Sequence, residues 1–121
     1  MAAWFSGTDH YLAACLKASR RLIGLIAIER QQDEAGCVHN LGYVFHTAYH
    51  GKGYATEVCR AAMAYLFEEL TTDRILTGTH PDNVASVALL RRLGLSEAAQ
   101  GEFTLSREQW QAKRAVRNRA L

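Results

Sequence analysis

The strongest constraint on the fold is a pair of glycines set between a strand pattern and a helix pattern. Leu41 to Phe45 is an apolar run that reads as a buried strand, Tyr54 to Leu70 has helical periodicity, and Gly51-Lys52-Gly53 stands between them. Glycine lacks a Cβ, so the backbone there can approach a ligand closely. The N–H groups of the first helical turn have no partner in the helix and direct their positive dipole end outward. A turn of this kind suits a pyrophosphate.

Spacing separates the phosphate-binding motifs that compete for this loop. A Walker A loop requires glycine and a hydroxyl residue where His46 and Gly53 stand, and a dinucleotide fingerprint requires glycine where Thr56 stands. The segment His50-Gly51-Lys52-Gly53-Tyr54-Ala55 instead resembles the acyl-CoA loop of the GNAT superfamily of N-acyltransferases, Q/R-x-x-G-x-G/A, with His50 in place of the usual Gln or Arg. Further on, His80-Pro81-Asp82-Asn83-Val84-Ala85-Ser86 followed by Leu89-Leu90-Arg91-Arg92-Leu93-Gly94-Leu95 resembles the second GNAT signature. With Leu22-Ile23-Gly24-Leu25-Ile26 and Leu41-Gly42-Tyr43, the resemblance covers residues 11 to 95 and is nearest to the branch that acetylates ribosomal-protein N-termini.

The chain has 121 residues, 49% hydrophobic and 21% charged, which suits one globular domain with a core. Apolar runs are too short for a membrane helix and the N-terminus lacks the pattern of a signal peptide, so a cytoplasmic protein is expected. Cys15, Cys37 and Cys59 are odd in number and form no C-x-x-C, which points to reduced core residues. A net charge of +2 is too small to argue for nucleic acid. Lys113, Arg114, Arg117 and Arg119 crowd the C-terminus and read as a solvated helix face; the rival reading is an RNA or ribosome contact with Trp110.

In chain order, residues 1 to 10 read as an uninformative lead-in. Tyr11 to Lys17 and Leu22 to Glu29 suit a hairpin, Gln31 to Gly36 a polar loop, and Cys37 to Phe45 a third antiparallel strand. The next helix is expected to bury Ala55, Val58, Ala62, Tyr65, Leu66 and Leu70, and to expose Glu57, Arg60, Glu68 and Glu69. Arg74 to Thr79 follows as a strand parallel to the third, completing a βαβ unit. Asp82 or Asn83 can cap a short helix that Gly94 ends, Ser96 to Leu105 suits a hairpin, and residues 106–121 form a basic helix or frayed tail. The fold class is α/β, one domain over 1–121 with its core in 11–95: an antiparallel hairpin, then βαβ.

The resemblance implies a mixed sheet with a splayed cleft that admits acetyl-CoA as acyl donor. Lys52 and the amides from Gly51 to Ala55, with Tyr54 among them, would hold the diphosphate, and His50 would add a hydrogen bond. Val44 and Phe45 would offer backbone groups to the pantetheine, plain core packing being the compatible alternative, and Asn83 would belong to the same site. Many family members place a proton-donating Tyr where this chain has Leu90, and the ribosomal-protein branch often has a Glu where it has Asn40. Ser86 matches the Ser of that branch, although Ser in a first helical turn also serves as a local cap. His39, His46 and His80 are the substitutes for a base, His80 first among them. His46 and His50 lack the glutamate of a zinc protease, so no metal is expected.

The function expected is acetyl transfer to a primary amine, either a protein N-terminus or a small amine. The alternative is a non-catalytic acyl-CoA-binding or assembly module. GNAT domains usually begin with a strand and two helices, for which ten residues before Tyr11 leave no room, and the hairpin of residues 96–105 looks short. An uncovered sheet edge and apolar face would favour a homo-oligomer, a dimer, or a partner that completes the fold.

Overall fold

The computed structural model describes residues 3–7, 11–33, 36–49 and 53–119. Seven strands and three helices are present among them: β1 (Ala3–Gly7), β2 (Tyr11–Leu16), β3 (Leu22–Asp33), β4 (Gly36–Phe45), α1 (Tyr54–Glu68), β5 (Arg74–Gly78), α2 (Val84–Arg92), β6 (Ser96–Ala99), β7 (Glu102–Ser106) and α3 (Arg107–Arg119). The strands make one sheet in the order β1-β2-β3-β4-β5-β7-β6. Every pair is antiparallel except β4–β5, which the α1 crossover makes parallel. The expected mixed α/β sheet is thus present.

Two expectations are corrected. The lead-in that read as uninformative contains a strand: Ala3–Gly7 pairs with β2 along its whole length, from Ala3↔Leu16 to Gly7↔Leu12. The polar stretch Gln31 to Gly36 is not a loop either, because β3 and β4 stay in register through Gln31↔Val38, Gln32↔Cys37 and Asp33↔Gly36. Backbone ladders need no apolar side chains once a strand runs past the core, so polarity hid this arm of the hairpin.

One apolar cluster joins the sheet to the helices. Ile26 and Ile28 of β3, Leu41 of β4 and Ile75 of β5 meet Val58, Cys59, Ala62, Met63, Leu66 and Phe67 of α1 there. The buried stripe of α1 therefore runs one residue further round than the sequence pattern suggests. Val58, Ala62 and Leu66 are as expected, but Cys59, Met63 and Phe67 replace Ala55, Tyr65 and Leu70, which are half-buried. Glu57, Arg60, Glu68 and Glu69 are exposed. Cys15 and Cys59 are buried and Cys37 is half-buried, and all three are free thiols.

The helix α3 is fastened to the end of α1 by specific contacts. Trp110 stacks on Phe67 with ring centroids 4.9 Å apart. Arg107 donates from Nη1 to the Phe67 carbonyl at 2.9 Å and from Nη2 to the Thr72 carbonyl, so it satisfies acceptors at the end of α1. Arg114 pairs with Glu68 and lies 5.1 Å from the Trp110 ring centre. Two of the basic residues of the C-terminal segment thus hold the fold together.

On the opposite side of the sheet, Ala13, Leu25 and Val44 occupy one row, and Leu25 and Val44 are exposed. No helix among the described residues is long and apolar enough to cross a membrane.

Candidate active site

The parallel pair β4–β5 is short, and the site follows from that. Its ladder is limited to Val38↔Arg74, His39↔Ile75 and Asn40↔Leu76. Beyond that point β4 remains paired with β3 as far as Phe45, and β5 remains paired with β7 as far as Gly78. Each strand keeps its antiparallel neighbour while the two separate from each other. The gap becomes a cavity of about 660 Å³ between β4, β5 and the N-terminal ends of α1 and α2.

These two helix ends differ chemically. At α2 the Asn83 side chain accepts the Ser86 N–H at 3.1 Å, so the helix supplies its own cap. At α1 the cap is Gly53, in a left-handed conformation with φ 80°, which has no side chain to offer the first turn. A Cβ on Gly53 would meet nothing within 4 Å. The end of α1, with Gly53, Ala55 and Thr56, therefore brings first-turn amides and the positive end of the helix dipole to the cavity wall, which is the environment an anion needs.

Deeper in, two hydroxyls meet. Tyr43 comes from β4 and Ser86 from the first turn of α2, and their oxygens are 2.6 Å apart in a half-buried hydrogen bond. Burial pushes the Tyr43 phenol up from its usual range; the Ser86 bond pulls the other way, and Cys59 adds a smaller push upward. Cys59 itself is raised to about 12 by burial, which keeps its thiol protonated and unreactive.

Of the site residues expected from the sequence, Val44, Phe45, Gly53, Ala55, Asn83 and Ser86 line this one cavity. Tyr54 lies beside it with its ring 5.9 Å from the ring of Tyr49, a lining residue. His50, Gly51 and Lys52 lie outside the described residues. His80 is not among the lining residues, and its side chain is 74% exposed. Its Nδ1 accepts the Asp82 N–H at 3.1 Å, so the neutral ring carries its proton on Nε2 and would have to release that turn to act as a base. His39 is buried where β4 and β5 are still paired, and burial, with Arg30 nearby, lowers its pKa. His46 is exposed after β4, with Nδ1 accepting the Ala48 N–H at 3.1 Å.

Leu90 is fully buried in the core, whereas its neighbour Leu89 reaches the cavity. Asn40 lies at the last rung before the strands part. Sequence reasoning missed Tyr43, Thr77, Thr79 and Arg92, all of which line the cavity. A signal for Tyr43 existed, since it is two residues from Leu41 and so shares that residue's inward face.

Comparison with known proteins bears on this geometry. Residues 1–96 match the family model described as an acetyltransferase (GNAT) domain. The chain is 35% identical over 86 residues to a Bacillus subtilis protein named "Probable N-acetyltransferase YjcK", covering 71% of this chain and 48% of the relative. The chain spans between 34% and 48% of the length of the curated relatives it matches. In fold it is similar to the ribosomal-protein-S5-alanine acetyltransferase of Vibrio fischeri, with a TM-score of 0.72 and 18% identity over 83% of this chain and 62% of that one. It is also similar to the spermidine/spermine N-acetyltransferase SpeG of Vibrio cholerae, with a TM-score of 0.76 and 16% identity over 85% and 69% of the two chains.

Proposed function

The chain belongs to the GNAT acetyltransferase family, and from that premise we propose that it moves an acetyl group from acetyl-CoA to a primary amine. The observation that carries this reading is the cavity between β4 and β5, which joins the glycine-capped N-terminal end of α1 to a pair of hydroxyls. The helix end suits the diphosphate of the donor, and Lys52 and His50 belong to the same loop in sequence. Val44 and Phe45 flank the path of the pantetheine, and Asn83 holds the first turn of α2 in place for Ser86.

In the transfer, the nitrogen of a neutral amine attacks the thioester carbonyl carbon, a C–N bond forms and the C–S bond breaks. The departing sulfur takes a proton from Ser86 Oγ. The amine proton leaves to water in the open cavity; His80 takes it only in an arrangement that gives up the Asp82 N–H. The acceptor is a protein N-terminus, as in the ribosomal-protein branch, or a small amine. The neighbours in fold include proteins named for each kind of acceptor. In the same reading the protein acts in the cytoplasm as a homo-oligomer, with exposed Leu25 of β3 as part of the apolar surface for self-association.

A second reading is a donor-binding module that does not turn over. It is favoured by Leu90, which is non-ionisable and fully buried at the family's tyrosine position.

Isotopically labelled acetyl-CoA, assayed by mass spectrometry against peptides with free N-termini and against spermidine, separates the two readings. The expected result is acetylation of at least one amine by the wild type. In Ser86→Ala, kcat should fall by about 10²-fold, the usual contribution of a positioned acid, with little change in the KM for acetyl-CoA. Turnover that Ser86→Ala leaves intact would show that the Ser86 hydroxyl, bonded to Tyr43, has no part in the transfer. Binding of acetyl-CoA with no acetylated product would leave the module reading.

A further inference from the structure

We propose that Tyr43 is a positioning residue for the transfer: its phenol donates to Ser86 Oγ and so directs the Ser86 proton toward the departing sulfur. The proposal rests on the acetyl-transfer reading and assigns a role to a residue that the family signatures in this sequence leave without one.

The Tyr43 and Ser86 oxygens are 2.6 Å apart, and either is close enough to donate. A phenol, with an ordinary pKa of about 10, is a far stronger acid than an aliphatic alcohol, so in a pair of neutral hydroxyls the phenol donates and the alcohol accepts. Ser86 then has its own proton free. Both residues line the cavity, so that proton is available to a group bound there. The pair is therefore polarised in one sense, from β4 through Ser86 into the cleft.

Both partners are held from behind. The Tyr43 backbone is fixed opposite Ile26 in the β3–β4 ladder, and its ring packs against the core, 6.1 Å from the ring of Phe45. Ser86 is fixed by its N–H bond to the Asn83 side chain. Neither hydroxyl has to search for the other once the strand and helix are formed, so the bond is preorganised. The groups that face Tyr43 are Ser86 from α2 and the Cys59 thiol from α1. The thiol is held neutral by burial, and burial likewise keeps the phenol protonated at neutral pH. When the sulfur takes the Ser86 proton, Ser86 recovers one along the bond from Tyr43, and the resulting phenolate is reprotonated by water.

The test is a cycle of Tyr43→Phe, Ser86→Ala and the double variant in the full chain. Tyr43→Phe keeps the ring and removes only the hydroxyl, and far-UV circular dichroism together with acetyl-CoA titration checks that folding and donor binding survive. The expected result is a fall in kcat of about 10-fold or more for Tyr43→Phe with KM for acetyl-CoA unchanged, and a double variant no slower than Ser86→Ala alone. Rates measured across mixtures of light and heavy water should follow a curve in the wild type, where two protons move, and a straight line in Tyr43→Phe. Unchanged kcat in Tyr43→Phe, or losses that multiply in the double variant, would overturn the role of Tyr43 while leaving acetyl transfer intact. A wild type that binds acetyl-CoA but acetylates nothing would overturn both.

Discussion

Replacing Phe67 with alanine is expected to lower the free energy of unfolding by about 3–5 kcal/mol, the usual cost of emptying a buried aromatic site. Phe67 has 0% of its surface exposed, and three separate interactions meet on it. Trp110 stacks on its face at 4.9 Å, the Arg107 guanidinium lies 5.8 Å from its ring centre, and its carbonyl accepts from Arg107 at 2.9 Å. Removing the ring leaves a cavity at the end of α1 and takes away the surface on which α3 is seated. Against a typical domain stability of about 5–15 kcal/mol this is a large fraction. Urea denaturation followed by circular dichroism and by Trp fluorescence measures it. A loss under about 1 kcal/mol would mean that α3 is not part of the cooperative unit.

The second large effect is on donor binding. Gly53→Asp should weaken acetyl-CoA binding by about 100-fold or more while lowering stability by only about 1 kcal/mol. Asp is among the residues that best tolerate a left-handed backbone, and the space around the Gly53 Cβ position is open to 4 Å, so the cost is backbone strain and not a clash. Its carboxylate would stand at the N-terminal end of α1, competing for the first-turn amides and repelling the diphosphate. Stability and binding thus respond differently to one substitution. The readout is the stabilisation conferred by acetyl-CoA, which for a ligand at 100 times its Kd is about 2.7 kcal/mol. That increment should fall to about 0.4 kcal/mol or less in Gly53→Asp and persist in larger part in Gly53→Asn, which has the same shape without the charge. An increment retained in Gly53→Asp would place the diphosphate elsewhere.

The parts of this fold that were legible in the sequence are those in which local chemistry and long-range position agree. Gly53 before a helix, Asn83 capping the next one and a strand on either side of α1 are local patterns, and each is found where it was expected. Strand β1 was not legible, because five residues acquire their meaning only from the β2 edge they pair with. The polar arm of β3 and β4 was hidden for a similar reason, since its ladder is a backbone property. In α1, Phe67 is covered by Trp110 of α3 and Cys59 faces Tyr43 of β4, two directions that a single-stripe pattern does not contain.

The same distinction holds at the site. Ser86 was legible from its distance to Asn83, but its partner Tyr43 is 43 residues away in sequence and meets it through the sheet. His80 is a polar residue at a suggestive place in the sequence, yet the turn it forms with Asp82 engages the nitrogen that a base would need. Burial of Leu90 likewise depends on which face of α2 meets the core.

The central claim is that the cleft between β4 and β5 receives acetyl-CoA, and calorimetric titration of acetyl-CoA into the wild-type chain tests it most directly. The expected result is a single site with micromolar affinity, about −8 kcal/mol. The absence of saturable binding up to millimolar acetyl-CoA would contradict it.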